Sequence, residues 1–128
     1  MAKVILLTIG LFLSMMVQAQ ENNLSANMKQ MKLEFNLAVQ AVNLDEMRVP
    51  ISNLQRLVSQ SKALNLPIEK RSVYQEGFKR LSAELDRIQV KIDTLDLAGA
   101  KDALQEIDSL RVEYHNKRNP SIWERLFC

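Results

Sequence analysis

The chain contains a single histidine, His115, in the stretch EYHNKR that spans residues 113–118. A lone imidazole near a helix C-terminus is most simply a surface cation that suits the dipole. It becomes chemically interesting when a second donor faces it. Met28, 87 positions earlier, offers a soft thioether, and a sulfur opposite an imidazole nitrogen makes a donor pair for a transition metal. The core-filling role of methionine competes with that reading for Met28 and for Met31 one turn on. Whether the pair meets depends on the elements that carry the two residues.

Those elements read as helices. Gly and Pro number three each among 128 residues, and Leu, Ala, Lys, Glu and Gln dominate. From Asn22 to Val42, apolar residues recur at Leu24, Met28, Met31, Phe35, Ala38 and Val42, one stripe of a helix capped by Asn22 or Asn23. A second helix, with Asp45 as its cap, carries Met47, Ile51, Leu54, Val58 and Ser61 inward. With that cap Pro50 falls about one turn inside and predicts a distorted first turn, the preferred reading; a regular helix that starts at Pro50, where the ring is harmless, is the alternative. The third starts either at Pro67 or at the capping box Ser72–Gln75, with Tyr74, Phe78, Leu81, Leu85, Ile88, Ile92 and Leu95 inward. Gly77, between two aromatics, is either a surface glycine or a point of close backbone approach. Asp96 caps a fourth helix with Ala100, Leu104, Ile107, Arg111 and Tyr114 or His115 inward, and Pro120 ends it. Four helices of about 20 residues, each roughly 30 Å long, joined by short loops, predict an all-α, antiparallel up-down-up-down four-helix bundle.

In that bundle, the first turns of helix 1 lie beside the last turns of helix 4. Met28 and His115 come to the same end, as do Tyr74 and Phe78. Two axial donors across an apolar bundle end suit a haem iron. Leu24, Met31, Phe35, Tyr74, Phe78 and Ile107 supply apolar lining, and Arg111, Lys117 and Arg118 supply cations for carboxylates.

At these residues the sequence resembles a known family. Asn27-Met28, the aromatics bracketing glycine in YQEGF (Tyr74 to Phe78), and RVEYHNK (Arg111 to Lys117) are similar to the soluble cytochrome b562 family, a likeness that runs up to Arg118. The resemblance implies one haem b per chain with Met28 and His115 as axial ligands, Arg111 beside the haem, and electron transfer in the periplasm. Departures from the family pattern are Pro50, Tyr74 in place of phenylalanine, Asn119 where an arginine is expected, and the NPSIWERLFC tail.

Residues 1–19 read as a secretory signal peptide: Lys3, an apolar run from Val4 to Val17, and small residues before a cleavage point after Ala19. The expected organisation is therefore signal peptide at 1–19, haem-binding bundle at 20–118 and tail at 119–128, with export to the periplasm and no stable membrane insertion after cleavage. The electron donor and acceptor are unidentified redox partners. Seventeen basic residues against fifteen acidic leave no cationic surplus for nucleic acid. No Cys-x-x-Cys-His is present for covalent haem, one histidine cannot supply the paired motifs of a di-iron bundle, and no hydrolytic triad stands out. The expectation is a monomeric electron carrier and not an enzyme, with partial disulfide dimerisation through Cys128, the only thiol. A haem-free exported bundle acting as an interaction or chaperone-like module is the competing reading. In the tail, Ile122, Trp123, Leu126 and Phe127 form a small apolar face expected to pack back onto the bundle.

Overall fold

The structure, a computed structural model, describes the backbone of residues 23–116 and the side chains of 23–69 and 71–109. The segment expected to be a signal peptide and the tail beyond Asn116 lie outside the described residues. Four helices follow one another: α1 over 23–40, α2 Leu44–Lys62, α3 Ile68–Asp93 and α4 Leu97–Asn116. Among the described residues there is no strand, and the architecture is the expected all-α four-helix bundle.

Each junction has a local cause. Asn43, and not Asp45, caps α2: its Oδ1 accepts from the Glu46 N–H at 2.8 Å, while Glu46 Oε2 accepts from the Val42 N–H at 3.0 Å. Asp45 and Glu46 instead occupy the first turn, where their charge meets the positive helix end. Moving the cap back two residues places Pro50 deeper than the spacing suggested. It is buried, and α2 continues through it. The ring removes the N–H that would have served the Glu46 carbonyl, at a cost of about 3 kcal/mol for an interior proline.

Helix α3 opens at Pro67, so Ser72 stands exposed inside the helix and not at its cap. Pro67 has no side-chain cap bond, but Arg71 N–H donates to the Pro67 carbonyl at 3.0 Å. The Arg71 guanidinium holds the preceding loop, donating to the Leu66 carbonyl at 2.9 Å and to Asn65 Oδ1 at 2.9 Å.

At its other end α3 closes in a Schellman turn. Asp96 N–H donates to the Lys91 carbonyl at 2.8 Å and Leu95 N–H to the Ile92 carbonyl at 3.1 Å. The turn forces Leu95 to φ 59°, a left-handed conformation that glycine normally fills, and leaves its side chain 75% exposed. Leu95 is therefore not part of the inward stripe. Val42 is likewise exposed, because α1 ends at 40 and the stripe is completed by Ala41. Asp96 caps α4 as expected, Oδ1 accepting from the Gly99 N–H at 2.8 Å. A Cβ at Gly99 would stand 2.8 Å from Asp96 Cγ and 2.9 Å from Lys91 Cδ, so glycine leaves room for the cap.

Short connections make successive helices antiparallel, and α3 packs against both α2 and α4. The bundle closes through α1. Near one end Asn27 Nδ2 donates to Ser61 Oγ at 3.2 Å; near the other, Lys101 Nζ donates to the Val39 carbonyl at 2.7 Å. One continuous core runs between them, from Leu24 and Phe78 to Met47 and Ala100. Its fully buried members, among them Met31, Ile51, Leu85, Ile88, Ile92 and Ile107, each contribute roughly 1.5–3 kcal/mol.

Candidate functional site

Met28 is the sixth described residue of α1, on the stripe that includes Leu24, and only 5% of its surface is exposed. It is a sulfur donor held in apolar surroundings. The level it marks on the other helices follows from the two cross-helix bonds. Val39 and Lys101 share a level; Met28 is eleven residues back along α1, about 16 Å at 1.5 Å per residue. The same climb along α4 reaches Val112, so backbone position 115 is about 4–5 Å further on, within the last turn of the helix. The side chains of Arg111 and His115 lie outside the described residues.

Helix α3 reaches the same level through its aromatics. Phe78 is fifteen residues before Asp93, as Val112 is fifteen after Leu97. Phe78 is fully buried and Tyr74 is 6% exposed, their ring centroids 6.3 Å apart and their planes 23° from parallel. Gly77 between them is buried, which removes the surface-glycine reading. Met31, Phe35 and Ile107 are buried as well, so every described residue expected to line the site belongs to the core.

A groove of about 390 Å³ opens along the seam between α1 and α4. Phe35, Asn36 and Val39 line it from α1, and Lys101, Leu104, Gln105 and Asp108 from α4. Phe35 and Val39 follow Met28 by seven and eleven residues, two and three turns. The strip of α1 that borders the seam therefore runs up to Met28. On α4, Leu104 and Asp108 stand three and two turns before position 115, so the bordering strip of that helix runs up to 115 in the same way.

Several core residues were not legible as such in the sequence. Leu57, Leu66, Ala41 and Ala103 join the core. Leu57 widens the α2 stripe beside Val58, a signal available from adjacency, whereas Leu66 sits in a loop where periodicity says nothing. Glu34 is 7% exposed and accepts a hydrogen bond from Gln30 Nε2 at 3.0 Å, one helical turn away. Ser61, expected on the inner stripe, is completely buried, with its hydroxyl bonded to Asn27 next to Met28.

No curated protein and no solved structure matches the chain. A family model does: the one described as cytochrome b562 matches residues 23–119, from the first described residue of α1 to beyond Asn116 of α4. With the four-helix bundle, the buried Met28 and the aromatic pair of α3 at its level, that match shows that the chain belongs to the cytochrome b562 family of small haem-binding electron-transfer proteins.

Proposed function

We propose that the chain carries one noncovalently bound haem b, ligated by Met28 and His115, and passes single electrons between redox partners in the periplasm. The observation that carries the reading is the common seam: Met28 and position 115 continue the two helix strips that border the α1–α4 groove. The residues present suit the group. Met28 offers a buried, neutral, soft sulfur, and the core around it is apolar. Gly77, buried between Tyr74 and Phe78, leaves backbone without a side chain beside the two rings.

Haem b supplies a one-electron ferric–ferrous couple. The chain's own contribution is to keep that couple free of other chemistry. Met28 and His115 would hold the group from its two sides, which would leave no open position for oxygen or substrate. The buried side chains of Leu24, Met31, Phe35, Phe78 and Ile107 exclude water, so little solvent must reorganise when charge changes. Thioether donation favours the ferrous state and raises the potential relative to two harder donors. Arg111, Lys117 and Arg118 provide cations for the carboxylates of the group. Among the described residues no helix is long and apolar enough to cross a membrane.

Titration of the purified protein with haem tests the proposal. The expected result is a Soret band that saturates at one haem per chain, with the low-spin spectrum of six-coordinate iron. A chain that stays colourless, or that binds haem only as a high-spin, unsaturable adduct, would refute it.

A further inference from the structure

We infer that the hydrogen bond from Asn27 to Ser61 fixes Met28 in its ligating position, which makes both residues positioning residues of the haem site. The inference rests on the haem reading proposed above.

The contact joins α1 to α2 at the level of the sulfur donor. Asn27 Nδ2 lies 3.2 Å from Ser61 Oγ, and Ser61 has no exposed surface. A hydroxyl there gains nothing from water. Alanine would pack in the same place without a desolvation cost, so what the serine adds is a directional bond. Direction matters because the other contacts of α1 near this level, through Leu24, Met28 and Met31, are apolar and tolerate rotation and sliding. One peptide unit separates Asn27 from Met28, about 100° apart around the helix. Turning α1 about its axis cannot displace one without displacing the other. A sulfur ligand is weak enough to be lost to such motion; a sulfur held by its neighbour is not.

The experiment uses the full chain loaded with haem and reads the charge-transfer band from methionine sulfur to ferric iron, together with the affinity for added imidazole at the methionine face. Ser61→Ala and Asn27→Ala should keep the Soret band, weaken the sulfur–iron band, lower the reduction potential and bind external imidazole roughly tenfold more tightly, as loss of one part-buried hydrogen bond implies. The double variant should be no worse than either single one, because both remove the same bond. Ile51→Val, a core truncation elsewhere on α2, should lower the melting temperature and leave band and imidazole affinity unchanged. An undiminished band and unchanged imidazole affinity in both single variants would overturn the inference while leaving the haem reading intact. Absence of the band in the unmodified protein, with normal low-spin haem binding, would overturn it too, by showing that Met28 is not the ligand.

Discussion

Lys101 donates through Nζ to the main-chain carbonyl of Val39 at 2.7 Å, a bond that spans 62 positions of sequence and fixes helix α4 against helix α1. Val39 is in the last turn of α1, where carbonyls lack helical partners and the dipole is negative, so a lysine suits the place twice over. Replacing Lys101 by methionine keeps the aliphatic stem and removes the ammonium. The expected cost is about 1 kcal/mol, read as a lower midpoint in urea unfolding with an unchanged slope. An unaltered midpoint would show that the contact carries no net stability.

The seam that Lys101 closes at one end leads to the proposed ligands at the other. His115→Ala should lose most of the haem, because imidazole is the stronger donor to both oxidation states. Met28→Ala should retain some, turn high-spin and admit external ligands at the vacated face. Low-spin spectra identical to the parent in both variants would remove Met28 and His115 from the iron.

Haem should stabilise the native state by RT ln(1 + [L]/Kd), on the order of 3 kcal/mol at a hundredfold excess over Kd. Thermal unfolding followed by circular dichroism should show a helical apo-protein that melts below the haem-loaded one. Equal melting temperatures with and without haem would favour a haem-free interaction module.

Leu95 pays for the α3–α4 turn with a left-handed backbone and gains little, since three quarters of its side chain is in solvent. Leu95→Gly should therefore stabilise the fold by about 1 kcal/mol, the difference between a leucine and a glycine at φ near +60°. Calorimetry would show a melting temperature several degrees higher, by the usual scaling for a domain of this size. A lower one would mean that the exposed leucine makes a contact worth more than its strain.

Cys128 lies in the tail beyond the described residues. Non-reducing gels should show at most partial disulfide dimerisation, abolished by Cys128→Ser without change in the haem spectrum. Loss of haem in that variant would make the tail part of the site.

Sequence alone determined the helices, their order and most of their inward faces. Stripes such as Tyr74, Phe78, Leu81, Leu85, Ile88 and Ile92 have the period of a helix, and burial follows that period because each helix must hide one apolar side. It also placed Met28 and His115 at one bundle end, since short loops leave antiparallel packing as the economical topology. The ends of the helices were decided by geometry that composition leaves open. Asn43 takes the cap from Asp45 because its extended backbone lets Oδ1 reach the Glu46 N–H; Leu95 leaves the stripe because a six-residue turn needs a left-handed residue just there. Leu66 becomes core only because the α2–α3 loop folds over the bundle. Only the tertiary structure could bring Asn27 to Ser61 and Lys101 to Val39, or open the α1–α4 groove. A pair 34 or 62 positions apart leaves no local trace, and which atoms meet depends on the relative rotation and height of two packed helices.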